Sequence, residues 1–176
     1  NSGSLHLNAA RIVRAKLQFE IGEYDAAAEA LADALEQGDR LSLAERADAE
    51  WFPGLSWRKL AMFEPAEAAL RRHLVLRRTL HGETHPLTAW AHADYGDLLV
   101  DTGDFVGAEQ QLERAGQIFN ATLGAEHPES LSPAYSRAVA DLWRGKAEDA
   151  RLALRPLVER YRDTLGADHF WTLYTM

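Results

Sequence analysis

The residues of this sequence that could bind a metal ion are histidines that recur at one interval. His85, His127 and His169 each stand 42 positions after the last, and imidazole nitrogens are common zinc ligands. On successive packed helix pairs they would be separated by about 8–10 Å, whereas one zinc ion needs nitrogens at about 2.0–2.1 Å. We therefore predict that these histidines cap helices and bind no metal, with Pro86 and Pro128 opening the helices that follow.

Acidic side chains form a second pattern. Asp94, Asp97 and Asp101 stand three and four positions apart, which places them on one face of a helix. Such a stripe could bind a cation or a basic peptide, or form a polar inner face. No pair of carboxylates has the setting of a general acid and base, and no nucleotide-binding or hydrolase motif occurs. We predict no catalytic residues and no cofactor.

Composition narrows the class of protein. The 176 residues are 47% hydrophobic and 26% charged, as in globular domains. The net charge of −8 argues against direct binding of nucleic acid, and no apolar run approaches the ~20 residues of a membrane span. Without a signal peptide the expected location is the cytoplasm, and the lack of cysteine leaves the periplasm open. Since no methionine precedes Asn1 and the chain closes on an apolar stretch, we interpret it as a piece of a longer protein.

The elements that carry these side chains repeat along the chain. Gly82, Gly124 and Gly166 share the interval of 42 residues, and apolar residues between them recur at helical spacing. Each repeat is predicted to contain two helices. The first helices are expected near 7–20, 43–60, 86–101 and 128–144, and the second near 24–37, 64–81, 105–122 and 147–164. Pro53 predicts a kink or a late start in the first helix of the second repeat.

Two columns of residues follow the same period. Small residues are predicted where the helices of a pair cross, because only Gly or Ala lets the backbones approach. Leucines are predicted to fill the space between one repeat and the next. The small column is Ala15, Gly54, Gly96 and Ala138, and the leucine column is Leu31, Leu70, Leu112 and Leu154. The first repeat is three residues shorter, which its connector at 38–42 explains.

These columns and the linkers resemble tetratricopeptide repeats of the ~42-residue kinesin-light-chain type. The linkers are most similar to the Leu-Gly-x-x-His-Pro linkers of bacterial arrays. The resemblance implies an all-α, right-handed α-solenoid of about four helix-turn-helix units plus the start of a fifth. Its predicted parts are a disordered or tag-derived lead at 1–6, repeats at 7–41, 42–84, 85–126 and 127–168 (the array ending near 169), and a further or capping helix starting at 170–176.

By this resemblance the first helices line a concave groove that binds a peptide or partner segment. All five tryptophans (Trp51, Trp57, Trp90, Trp143 and Trp171) fall on predicted first helices, where rings serve either as core or as anchors. The implied groove residues are Ile12, Lys16, Phe19, Trp51, Leu55, Arg58, Lys59, Trp90, Asp97, Asp101, Tyr135, Val139 and Trp143.

The predicted groove has opposite charges along its length. Lys16, Arg58 and Lys59 belong to the first two repeats, whereas Asp97 and Asp101 belong to the third. A segment with an acidic half, a basic half and apolar anchors would complement it. The leading hypothesis is a non-catalytic protein-binding module. The resemblance further implies a sensing or docking region of a larger bacterial signalling protein, either a Ser/Thr kinase or a transcription regulator.

Two further features have alternative interpretations. Phe170, Trp171, Leu173 and Tyr174 would be exposed in an unfinished fifth repeat, which favours a homodimer as an alternative function. The basic run on the fourth helix is predicted to form a solvated face that pairs with Glu64 and Glu67 one turn earlier, or to dock an acidic partner. That run consists of Arg71, Arg72, His73, Arg77 and Arg78.

Overall fold

The computed structural model describes residues 2–36 and 41–176 and contains no strand within them. Positions 38–40 of the predicted short connector lie outside the described residues. The helices are α1 (Ser2–Glu20), α2 (Tyr24–Glu36), α3 (Leu43–Lys59), α4 (Phe63–His81), α5 (Pro86–Thr102), α6 (Phe105–Leu123), α7 (Pro128–Trp143), α8 (Ala147–Leu165) and α9 (Phe170–Thr175). The predicted all-α class and order of helix pairs are confirmed.

The helices belong to two compact bodies. The N-terminal body, Asn1–Glu83, contains α1 to α4, and the C-terminal body, Thr84–Met176, contains α5 to α9. Within each body consecutive helices pack on one another, and the first helices of successive pairs also touch: α1 contacts α3, and α5 contacts α7. Each body is therefore built of helix pairs with a first-helix layer and a second-helix layer.

Helix boundaries mostly follow the sequence prediction. The helix α1 begins at Ser2, five residues before the predicted start near residue 7, so residues 2–6 of the predicted lead have helical backbone. The helix α3 does not start late. It begins at Leu43 after a capping box in which Ser42 and Glu45 satisfy each other's backbone N–H groups, and it continues through the buried Pro53.

The repeated histidines are helix caps, as predicted. Nδ1 of His85, His127 and His169 accepts a hydrogen bond from the backbone N–H two residues later, at 3.1, 3.2 and 3.2 Å respectively. Pro86 and Pro128 follow as the first helical residues, where a missing N–H leaves no hydrogen bond unmade. The histidine columns are therefore explained by helix initiation.

Hydroxyl side chains close two of the linkers. Ser130 Oγ donates to the carbonyl oxygen of Gly124, and Thr172 Oγ1 donates to that of Gly166, both at 2.8 Å. These glycines have φ of 90° and 97°, a left-handed conformation that residues with a Cβ rarely adopt. A linker thus needs a glycine at its start and a hydroxyl six residues later.

The small-residue column marks close helix crossings. A Cβ atom on Gly54 would lie 2.8 Å from Cγ and Cδ2 of Leu70, and one on Gly96 would lie 2.8 Å from Cγ of Leu112. Real Cβ atoms do not approach carbon that closely, because interiors are already packed to crystal-like density. The prediction that the helices of a pair approach here is confirmed.

Two members of the leucine column pack between repeats, as predicted. Leu31 of α2 clusters with Ala49 and Phe52 of α3, and Leu112 of α6 clusters with Ala140 of α7. Each of these two leucines therefore packs both within its own helix pair and against the first helix of the next pair. Within residues 2–36 and 41–176, none of the helices combines the length and apolar character needed to cross a bilayer.

Candidate first-helix binding surface

In the C-terminal body three first helices lie side by side. The helix α5 contacts α7, and Tyr135 of α7 meets Tyr174 of α9 with ring centroids 5.5 Å apart. Phe170 stacks on Tyr174 at 5.3 Å. We use the name first-helix surface for the predicted groove residues of this body and the rings of α9, without Trp90 and Trp171, whose rings pack against the core. Its members are Asp97, Asp101, Tyr135, Val139, Trp143, Phe170 and Tyr174.

Tyr135 is the polar centre of this surface. Its burial raises the pKa of its phenol to about 12, and a hydrogen bond to the Tyr174 hydroxyl and the nearby charge of Asp97 act in the same direction. The phenol is therefore neutral at physiological pH and offers hydrogen bonding, without a group whose pKa suits proton transfer near neutrality. The arrangement can bind polar groups of a ligand.

The exposed rings are confined to first helices. Among the described residues the aromatic side chains classed as exposed are Trp143, Phe170 and Tyr174, with 69, 63 and 56% of their surface accessible. The exposed large apolar side chains of the second helices are the aliphatic Val75, Val106 and Leu152. Aromatic anchors are thus available on one layer only.

Val139 and two rings outside the first-helix surface contribute to the core. Trp90 packs edge-on against Phe119 at 5.3 Å, and Val139 lies against a buried cluster around Leu112. Trp171 stacks on the buried Tyr161 at 6.3 Å. The predicted exposure of Trp171 is wrong, because its ring covers the end of the core.

The N-terminal body uses its predicted groove residues mainly for packing. Ile12, Phe19 and Trp51 lie half-buried against the cluster that contains Leu31. Leu55 and Arg58 are half-buried, whereas Lys59 is exposed. Lys16 is exposed and pairs with Glu20 at 3.8 Å. The aromatic residues Phe19 and Trp51 on the first helices of the N-terminal body are therefore core residues that remain partly accessible.

Tyr174, predicted to serve self-association, lies beside Tyr135, a position that was not predicted from the sequence. The available signal was the repeat register, since Tyr174 stands 84 positions, or two repeats, after the predicted groove residue Trp90. Among the described residues no group of three or more histidine, aspartate and glutamate side chains could hold a metal ion.

The basic run of α4 forms a solvated face only in part. Arg71 does pair with Glu67 one turn earlier, at 3.8 Å, as predicted. His73, however, is buried, with Nδ1 2.8 Å from the carbonyl oxygen of Ala47. Two arginines reach carboxylates of α3: Arg72 pairs with Glu50 at 2.7 Å, and Arg77 with Asp48 at 2.5 Å. The prediction of a solvated face is wrong for His73 and Arg77, which pack against α3, whereas Arg72 keeps 56% of its side-chain surface exposed while it pairs with Glu50.

Replacing Arg72 with methionine is expected to lower the free energy of unfolding by about 2 kcal/mol. The carboxylate of Glu50 is 6% exposed, and its second oxygen has no hydrogen-bond partner among the described residues. Removing the cation that pairs with a buried carboxylate lowers the free energy of unfolding by several kcal/mol. The expected loss is smaller here because Arg72 is half exposed. Urea denaturation measures the loss. It should shrink in a Glu50→Gln background, and an equal loss there would contradict the argument.

Comparison with known proteins agrees with this geometry. Residues 94–129 match the tetratricopeptide repeat model. A structure of nearly identical TPR-like repeats from a kinesin light chain-like protein of Podosopora anserina superposes with a TM-score of 0.70, at 20% identity over 95% of this chain and 81% of that one. The chain folds as a tetratricopeptide repeat array.

A single-substitution variant of the same fungal repeats superposes on the array with a TM-score of 0.73, at 19% identity over 95% of this chain and 80% of the other. The predicted resemblance to the kinesin-light-chain type is therefore confirmed at the level of the fold. No curated protein matches the sequence of the array.

Proposed function

We propose that the array is a non-catalytic module that binds a polypeptide segment of a partner on its first-helix surface. The observation that carries this proposal is the confinement of the exposed rings Trp143, Phe170 and Tyr174 to first helices. Exposed rings provide large apolar contact area at a small loss of side-chain entropy, and they dominate binding energy at protein interfaces. The tetratricopeptide fold supports the same function.

Polar groups beside the rings suggest what the partner carries. The negative charge of Asp97 lies close enough to Tyr135 to act on the pKa of its phenol, and Asp101 stands one helical turn after Asp97 on α5. For the first-helix surface of the C-terminal body we propose a partner segment that carries apolar anchors and basic side chains, which would combine aromatic burial with steering by charge. Replacing Asp97 and Asp101 with lysine should then slow association with the partner, and an unchanged rate would remove the electrostatic part of the proposal.

The test is a pair of matched variants in an affinity pull-down from the source organism's lysate. Phe170→Ala/Tyr174→Ala should lose the captured partner, with an affinity lower by about tenfold or more in titrations with the purified partner. Leu152→Ala removes a side chain of similar exposure, 58%, from the second helix α8 and should retain the partner. Equal capture by both variants would contradict the proposal.

A homodimer is the second candidate, supported by the exposure of Phe170 and Leu173, at 63 and 55%. Sedimentation velocity at rising concentration should then show a dimer that Phe170→Ser/Leu173→Ser abolishes. Deletion of residues 170–176 is a poorer test, because it would also uncover Tyr161 by removing Trp171. A constant monomer mass would exclude this function. We further propose, from the resemblance of the linkers alone, a sensing or docking role in a larger bacterial signalling protein.

A further inference from the structure

Gly116 departs from the repeat pattern of the second helices. Leu74 of α4 and Val158 of α8 stand 42 positions before and after it, and Leu35 holds the corresponding place in α2. Leu74 is buried, and Leu35 and Val158 are half-buried. In three second helices this position therefore carries a large aliphatic side chain, and in α6 it carries none.

Helix packing does not require this glycine. A Cβ atom on Gly116 would meet only Cβ of Pro133, at 3.8 Å, which is ordinary contact. Its φ is not positive, so the backbone accepts any residue. Glycine inside a helix lowers stability relative to alanine. A residue that breaks a local rule without benefit to the fold is a candidate for function.

The missing side chain leaves an open space between α6 and α7. This space, the Gly116 notch, has a volume of about 200 Å³, and its apolar lining residues are Leu112, Pro133 and Ala134, beside polar ones that include Glu113 and Gln117. An engineered apolar cavity of about 150 Å³ accepts benzene. The notch therefore has room for one leucine-sized side chain, and it shares no residue with the first-helix surface.

The charged residues beside the notch indicate which kind of residue would stand next to the partner's apolar side chain. Arg137 is neutralised by Glu109 at 2.6 Å. Glu113 accepts a hydrogen bond from the amide of Gln117 at 3.3 Å, and no cation within residues 2–36 and 41–176 pairs with it in the structure. A lysine or arginine beside an apolar anchor would complement this carboxylate.

We propose that the Gly116 notch is a second binding site, which receives one leucine-sized side chain of a partner polypeptide next to a lysine or arginine. The site combines apolar and polar lining residues, as anchor points at protein interfaces do. It does not depend on the proposed function of the first-helix surface, and either site can fail without the other.

The test uses three blocked tripeptides as probes: acetyl-Lys-Leu-Lys-amide, acetyl-Lys-Gly-Lys-amide and acetyl-Glu-Leu-Glu-amide. Each is titrated into the ¹⁵N-labelled protein while backbone amide shifts are followed. The Lys-Leu-Lys probe should give saturable shifts at Gly116, Gln117 and Ala134. The other two probes should bind at least about fivefold more weakly. One lacks the leucine that would fill the notch, and the other lacks the lysines that would pair with Glu113.

Variants separate the notch from the rest of the surface. Gly116→Leu fills the notch with the residue of its own column, so it should keep or raise the melting temperature and weaken the Lys-Leu-Lys probe about tenfold or more. Ala121→Leu is the matched control, since it adds the same side chain at an exposed position of α6 outside the notch, and it should bind normally. Glu113→Gln should weaken the probe about fivefold.

Three outcomes would overturn the proposal. The first is the absence of saturable shifts at the notch, and the second is equal binding of the Leu and Gly probes or unchanged binding by Gly116→Leu. The third is a wild-type dimer that Gly116→Leu converts to a monomer, since a second copy would then be the occupant. The Phe170→Ala/Tyr174→Ala variant should bind the probe normally, which separates this test from that of the first-helix surface.

Discussion

Lowering the pH from 7 to 4 is expected to reduce the free energy of unfolding by about 3 kcal/mol through His73 alone. Burial lowers the pKa of this imidazole from 6.5 to about 4, the nearby Arg77 acts in the same direction, and the hydrogen bond to Ala47 opposes them. The unfolded chain therefore binds a proton below pH 6.5, while the folded protein does so only near pH 4. Stability is lost across that window and is constant, for this group, below it.

Urea denaturation at several pH values measures this loss, and a His73→Asn variant isolates it. The asparagine amide can still donate to the carbonyl oxygen of Ala47 but does not titrate. Subtracting the variant's curve from that of the wild type should leave a fall of about 3 kcal/mol between pH 6.5 and 4. Parallel curves for the two proteins would show that His73 takes up its proton equally in both states.

Replacing Gly96 with valine is expected to lower the free energy of unfolding by about 2–3 kcal/mol. Even the Cβ atom would lie 2.8 Å from Cγ and 2.9 Å from Cδ2 of its neighbour Leu112. Leu112 is itself buried and cannot move aside without displacing the cluster around it. The helix pair α5–α6 must then separate or adopt strained rotamers.

The matched control for this prediction is Gly116→Val. Both substitutions place the same β-branched residue inside a helix, but a Cβ on Gly116 meets only Pro133 at ordinary distance. The control should leave the urea midpoint unchanged or raise it slightly. Equal losses of stability at the two positions would mean that the β-branched side chain within a helix causes the loss, and that the close crossing of α5 and α6 does not.

The helix pairs and their close crossings could be predicted from the sequence because one residue type at one position of each repeat is enough to mark them. Gly54 and Gly96 mark crossings by the absence of a side chain, and His85 marks a helix start through a bond within two residues. The histidine cap depends on its neighbours along the chain, and the crossings recur once in every repeat, so spacing alone indicates both. The predicted bounds of α3 to α8 accordingly lie within two residues of those observed.

Features that depend on which face a helix turns to its neighbour could not be predicted in the same way. Charge spacing on α4 shows that Arg71 can reach Glu67, but it does not show that Arg72 and His73 face α3. Trp171 resembles an exposed terminal ring in the sequence, and only its stacking on Tyr161 reveals it as core. Only part of the first-helix surface was predicted. Tyr135 was expected there, whereas the rings of α9 belong to it through contacts between helices that the sequence does not show.

The hydroxyl bonds that close the linkers have a consequence for how such a chain folds and evolves. The bond from Thr172 to Gly166 joins residues six positions apart, as does that from Ser130 to Gly124, so each linker acquires its shape from its own residues. Chains built from such short-range contacts fold fast, since little loop entropy is lost before a contact forms. A gene could therefore gain or lose one 42-residue segment and still encode correct junctions on both sides of the change.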